Sequence, residues 1–90
     1  MKRIHLIITG DVQGVGFRAW ITREAKNLEL VGWVKNRTDD TVEIVAEGKE
    51  KELQKLIELC HQGPEISWVK DVLVEWSEAT NELIGFEVIF

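Results

Sequence analysis

Ninety residues leave room for one small domain, and 44% apolar content is enough to build a core, which excludes intrinsic disorder. The net charge of −5 argues against polyanionic partners, so neither nucleic acid nor an anionic membrane surface is expected. The charge is unevenly placed: residues 1–40 carry seven Lys/Arg against five Asp/Glu, and residues 41–90 carry four against eleven. The lone cysteine, Cys60, has no internal disulfide partner and fits a reducing, cytoplasmic setting. No apolar run of about 18 residues reads as a membrane span, and the N-terminus lacks the pattern of a signal peptide.

Ile4, Leu6 and Ile8 alternate with Arg3, His5 and Thr9, interrupted by Ile7, and predict a first strand with one face on a core. Phe17, Ile21, Ala25 and Leu28 recur at helical spacing and predict a first helix. Val31 to Asn36 reads as a second strand and Thr38-Asp39-Asp40 as a polar turn. Val42, Ile44 and Ala46 alternate with Glu43 and Glu47 as a third strand that closes a hairpin and ends at Gly48. Leu53, Leu56, Ile57 and Cys60 predict a second helix over 49–62, stopped by Gly63-Pro64. Val72, Val74 and Trp76 alternate with Asp71 and Glu75 as a fourth strand. Residues 77–85 read as loop, and Phe86, Val88 and Phe90 as a short final strand. No repeat or linker divides the chain, so residues 1–90 are expected to form a single domain.

The order β-α-β-β-α-β is the split βαβ, or ferredoxin-like, pattern of the α+β class. It predicts a sandwich: a mainly antiparallel sheet with two helices on one face. The second face would then be open to solvent, with His5, Lys35, Glu43 and Glu75 on it and the acidic residues from Glu43 onward forming a solvated surface. Trp76 is expected in the core; Trp20 and Trp33 are candidates for positions near a site. The fold by itself names no function.

The chemistry concentrates in Gly10-Asp11-Val12-Gln13-Gly14-Val15-Gly16-Phe17-Arg18, which joins the first strand to the first helix. Three glycines in seven residues allow a tight turn and close backbone approach to a ligand. Successive N–H groups in such a turn can form an anion-binding nest, and a helix beginning there adds free N–H groups and a positive dipole end. Arg18 adds a forked donor set suited to phosphate or carboxylate, while Asp11 partly opposes an anion. The loop lacks the Gly-Lys-Ser/Thr of a nucleotide-binding P-loop, and Ala19 breaks the dinucleotide Gly-x-Gly-x-x-Gly spacing. A single phosphoryl or carboxylate group remains as ligand, beside the plainer alternative of a structural turn.

Ile8 to Arg18 resembles the first signature of the acylphosphatases at every defined position, and Gly32-Trp33-Val34-Lys35-Asn36, followed by Val42 and Gly48, resembles the second. The resemblance covers essentially the whole chain. It implies a ferredoxin-like fold and hydrolysis of carboxyl-phosphate mixed anhydrides. It further implies phosphate held by the loop from Gln13 through Gly14, Val15, Gly16 and Phe17 to Arg18, and an attacking water positioned by Asn36. No metal or organic cofactor is implied, and the family typically acts as a small cytosolic monomer whose partners are an acyl phosphate and inorganic phosphate. Two positions depart from the family pattern: Asp40 and Glu29 stand where glycine is frequent, which puts local stability rather than chemistry in question.

Arg18 as a surface side chain near a helix start would oppose the helix dipole, which disfavours a purely structural role. Asn36 has the plainer alternative of closing a strand or capping the following turn. His5 and His61 lack ligand-spaced partners and read as solvated; Cys60 completes an apolar stripe and reads as core. Three classes of function are in view: the enzyme, a non-catalytic anion-sensing module with the same loop, and an RNA-binding ferredoxin-like domain. Glu43, Glu47, Asp71 and Glu75 on the strands argue against the last.

Overall fold

The computed structural model describes residues 1–90. The chain runs β1 (Lys2–Asp11), α1 (Phe17–Asn27), β2 (Val31–Asn36), β3 (Val42–Gly48), α2 (Glu50–Gln62), β4 (Trp68–Glu78) and β5 (Phe86–Val88). The strands form one sheet in the order β4-β1-β3-β2-β5. All neighbours are antiparallel except β2 and β5, which pair in parallel. No helix is long and apolar enough to cross a membrane.

The period-2 pattern of β1 sends Ile4, Leu6 and Ile8 to one face, where they meet Val42, Ile44 and Ala46 of β3 and the apolar stripes of both helices. Phe17, Ile21 and Ala25 on α1 and Leu53, Leu56 and Cys60 on α2 are buried in the same cluster. Each large side chain sealed there stabilises the fold by about 1.5–3 kcal/mol. Burial also pushes the Cys60 thiol far above its ordinary ionisation range, so it behaves as a small apolar residue. Two backbone crossings require glycine. At Gly10 (φ +133°), beside the register shift between β1 and β4, a Cβ would collide with the Trp68 carbonyl. At Gly32 (φ +154°) it would strike the Val45 carbonyl on the neighbouring strand.

The open face carries a row of polar side-chain contacts. His5 Nε2 lies 2.6 Å from Glu43 Oε2, Lys35 Nζ lies 3.9 Å from Glu43, and His5 Nδ1 lies 4.0 Å from Glu75. His61 is exposed near the end of α2.

Four sequence expectations are corrected. Glu47 is not part of a solvated face but 3% exposed. Its carboxylate accepts from Arg3 Nη1 (2.7 Å), the Thr80 N–H and hydroxyl (both 3.0 Å) and the Asn81 N–H (3.1 Å). It thereby anchors the connection that carries the chain from β4 past the sheet to β5. Burial would raise its pKa, but these donors outweigh that and hold it at about 2. Trp76 is half-open at 43%, because near the end of edge strand β4 it faces the polar Glu50 and Gln54 of α2. β4 extends from Trp68 to Glu78, beyond the expected span, because pairing with β1 continues as far as Lys2 opposite Glu78. β5 closes at Val88, short of Phe90.

Candidate active site

The segment between β1 and α1 turns through two left-handed glycines, Gly14 (φ +74°) and Gly16 (φ +77°), separated by Val15, which is not at positive φ. Turns built on left-handed glycines can direct successive N–H groups to one side. No hydrogen bond within the protein uses the N–H of Gln13, Gly14, Val15 or Gly16. The first helical bond of α1 runs from the Trp20 N–H to the Gly16 carbonyl at 3.0 Å, so the Phe17, Arg18 and Ala19 amides have no partner inside the helix. Gly16 is the N-cap residue and supplies no side chain to occupy them. Of the residues with these unpaired donors, Gly14, Gly16, Phe17, Arg18 and Ala19 line one depression at the positive end of α1.

Gly14, Gly16, Phe17 and Arg18 line a depression of about 210 Å³ together with Asn36, Val12, Ala19, Val88 and Phe90. Arg18 forms no ion pair with any carboxylate side chain; its guanidinium lies over the Phe90 ring, 5.4 Å from the centroid. Asn36 closes β2, and its Oδ1 is buried without a hydrogen-bond partner. A buried acceptor of this kind needs a donor, and the depression that Asn36 lines is one place from which it can come.

The other loop residues have different placements. Gln13 is not on the wall of the depression: its side-chain amide donates to the Arg37 and Thr41 carbonyls, 2.9 Å each. It ties the loop to the β2–β3 turn just beyond Asn36, and so sets the distance between the two halves of the site. Val15 packs against the core. Asp11 is exposed and off the wall. Trp20 stacks edge-on against Phe17 at 5.5 Å, and Trp33 meets Lys35 at 5.9 Å; neither lines the depression. Val88 and Phe90 were not singled out from sequence as site residues. The alternation of Phe86, Val88 and Phe90 put them on one face, but the parallel pairing of β5 with β2, which brings that face to the loop, has no local signature.

The structure holds no group of three or more His, Cys, Asp or Glu arranged for a metal ion. A wider hollow of about 500 Å³ between β4 and α2 contains Glu50, and its Lys2 is already bound to Glu78 at 2.7 Å, so it offers no anion cradle. The depression at the start of α1 instead offers amide donors, a cation without a carboxylate partner and a neutral acceptor, a set that can hold an oxyanion against a polarised water.

The acylphosphatase family model matches residues 4–88. An acylphosphatase of Thermococcus kodakarensis is 48% identical over 91 aligned positions, covering 99% of both chains. One of Pelotomaculum thermopropionicum is 44% identical over 88 positions, covering 98% of this chain and 96% of the relative. The crystal structure of the acylphosphatase from Bacillus subtilis superimposes with a TM-score of 0.97 at 41% identity, each chain covered in full. Family model, relatives and solved structure agree over nearly the full length: the chain belongs to the acylphosphatase family and is a hydrolase of acyl phosphates.

Proposed function

We propose that Arg18 and the amides from Gln13 to Arg18 bind the phosphoryl group and that Asn36 orients the water that attacks it. The observation that carries this reading is that Asn36, whose Oδ1 has no hydrogen-bond partner, lines the same depression as Gly14, Gly16 and Arg18. A phosphoryl transition state spreads charge over its equatorial oxygens, so positioned donors supply most of the catalysis. Asn36 is neutral and has no role as an ordinary base; it accepts one water O–H and aims a lone pair at phosphorus. The water oxygen bonds to phosphorus, the bond from phosphorus to the acyl oxygen breaks, and the carboxylate leaves with the electron pair. The water's proton passes to the phosphate itself. A carboxylate is a good leaving group, so no strong general acid is required.

Within this reading residues 1–90 form a single domain working as a monomer, with inorganic phosphate as product and competing ligand. A cytoplasmic setting agrees with one buried free cysteine. The test is Asn36→Ala assayed with benzoyl phosphate. Loss of the oriented water lowers kcat about a hundredfold while the inhibition constant for inorganic phosphate stays within about twofold. Equal damage to both would make Asn36 a structural residue.

A further inference from the structure

The phosphate depression opens on two sides. Toward the β2–β3 turn it shares Asn36 and Phe90 with a hollow lined by Lys35, Arg37, Thr38 and Glu43. Toward α1 it shares Ala19 and Val88 with a groove of about 470 Å³, whose remaining walls are Thr22, Arg23, Lys26 and Asn27. Attacking and leaving oxygens stand in line across phosphorus. If the water is held by Asn36, the leaving group points away from Asn36. That geometry selects the α1–β5 groove and rejects the hollow that contains Asn36.

We infer that this groove receives the acyl group, and that Arg23 and Lys26 make the enzyme prefer acyl phosphates bearing a second anionic group at the far end of the acyl chain. The inference rests on the phosphate and water roles given above. Ala19 and Val88, next to the phosphate, offer apolar contact for the carbon skeleton. Beyond them the groove turns polar and cationic. Arg23 and Lys26 are exposed, neither forms an ion pair, and no carboxylate lines the groove. By contrast Lys35 and Arg37 of the rejected hollow already lie beside Glu43 and Asp39. Along α1, Thr22 is one turn from Arg18 and Lys26 two, about 6 and 12 Å. A distal carboxylate at that range meets one or both cations.

The test compares 4-carboxybenzoyl phosphate with 4-methylbenzoyl phosphate, substrates of similar shape that differ in distal charge. Wild type is set against the double variant Arg23→Gln, Lys26→Gln, and the quantity read is the ratio of kcat/KM, charged over neutral. Comparing the two proteins cancels the intrinsic reactivities of the substrates. The inference predicts that the ratio falls roughly tenfold in the variant, and that the wild-type ratio falls as salt rises from 20 mM to about 0.5 M. A ratio unchanged by both the substitutions and salt overturns it. Failure of the underlying site reading looks different: Arg18→Gln would then hydrolyse both substrates at the wild-type rate. The salt series needs no variant, so the outcome does not depend on the double variant folding.

Discussion

Replacing Glu47 by Gln removes a charge buried among four donors and tests what holds the chain between β4 and β5. The carboxylate pairs with Arg3 and accepts from both Thr80 donors and the Asn81 N–H. Glutamine keeps one acceptor oxygen, but its NH2 group faces donors, and Arg3 loses its counter-charge. The carboxyl stands at about 2 in the folded protein against a reference of 4.5. At 1.36 kcal/mol per pKa unit, reduced for the solvent that still reaches Arg3, this corresponds to about 2 kcal/mol. The sign follows from linkage. A folded-state pKa below the unfolded value stabilises fully above 4.5, and the contribution disappears as pH falls from 4.5 toward 2. Urea unfolding at pH 7 should show the variant about 2 kcal/mol less stable, with a Tm about 10 °C lower. The gap should shrink to about a quarter of its pH 7 size by pH 2.5 and close as pH falls through 2. A gap that stays constant from pH 6 to pH 2.5, or one under about 0.5 kcal/mol at pH 7, would refute the reasoning.

Two further substitutions probe the backbone and the frame of the site. Glu29 (φ 59°) and Asp40 (φ 69°) occupy left-handed conformations, so Glu29→Gly and Asp40→Gly should each raise stability by about 0.5 kcal/mol in urea melts, the relieved strain exceeding the entropy that glycine adds to the unfolded chain. Gln13→Ala deletes the two bonds to the Arg37 and Thr41 carbonyls. It should lower stability by about 2 kcal/mol and reduce kcat/KM for benzoyl phosphate at least tenfold, since the loop and Asn36 lose their common tie.

The elements that local periodicity encodes were legible in the chain. Ile4, Leu6 and Ile8 read as one strand face, and Leu53, Leu56 and Cys60 as one helix face, because packing obeys the same periods that the pattern displays. Arg18 was legible as a candidate from its place at the end of the glycine loop, and Asn36, 18 positions further along the chain, only because the resemblance placed it. The fate of Glu47 was not legible. It looked like the outward residue of an alternating strand, and its partners lie at positions 3, 80 and 81, which only the folded sheet brings together. Gln13 is similar: the residue type suits a phosphate loop, but its bonds reach the far side of a turn more than 20 positions away. Trp76 kept its inward register and still stayed half-open, because the edge of a sheet supplies cover on one side only.

Metal-free hydrolysis of benzoyl phosphate in EDTA, by wild type and Arg18→Gln side by side, tests the central claim most directly. The account predicts rapid turnover by wild type and a loss of several hundredfold or more in the folded variant, about 3–4 kcal/mol of transition-state stabilisation, because a charged donor pair is removed from the phosphoryl group. Near-wild-type turnover by folded Arg18→Gln would contradict it.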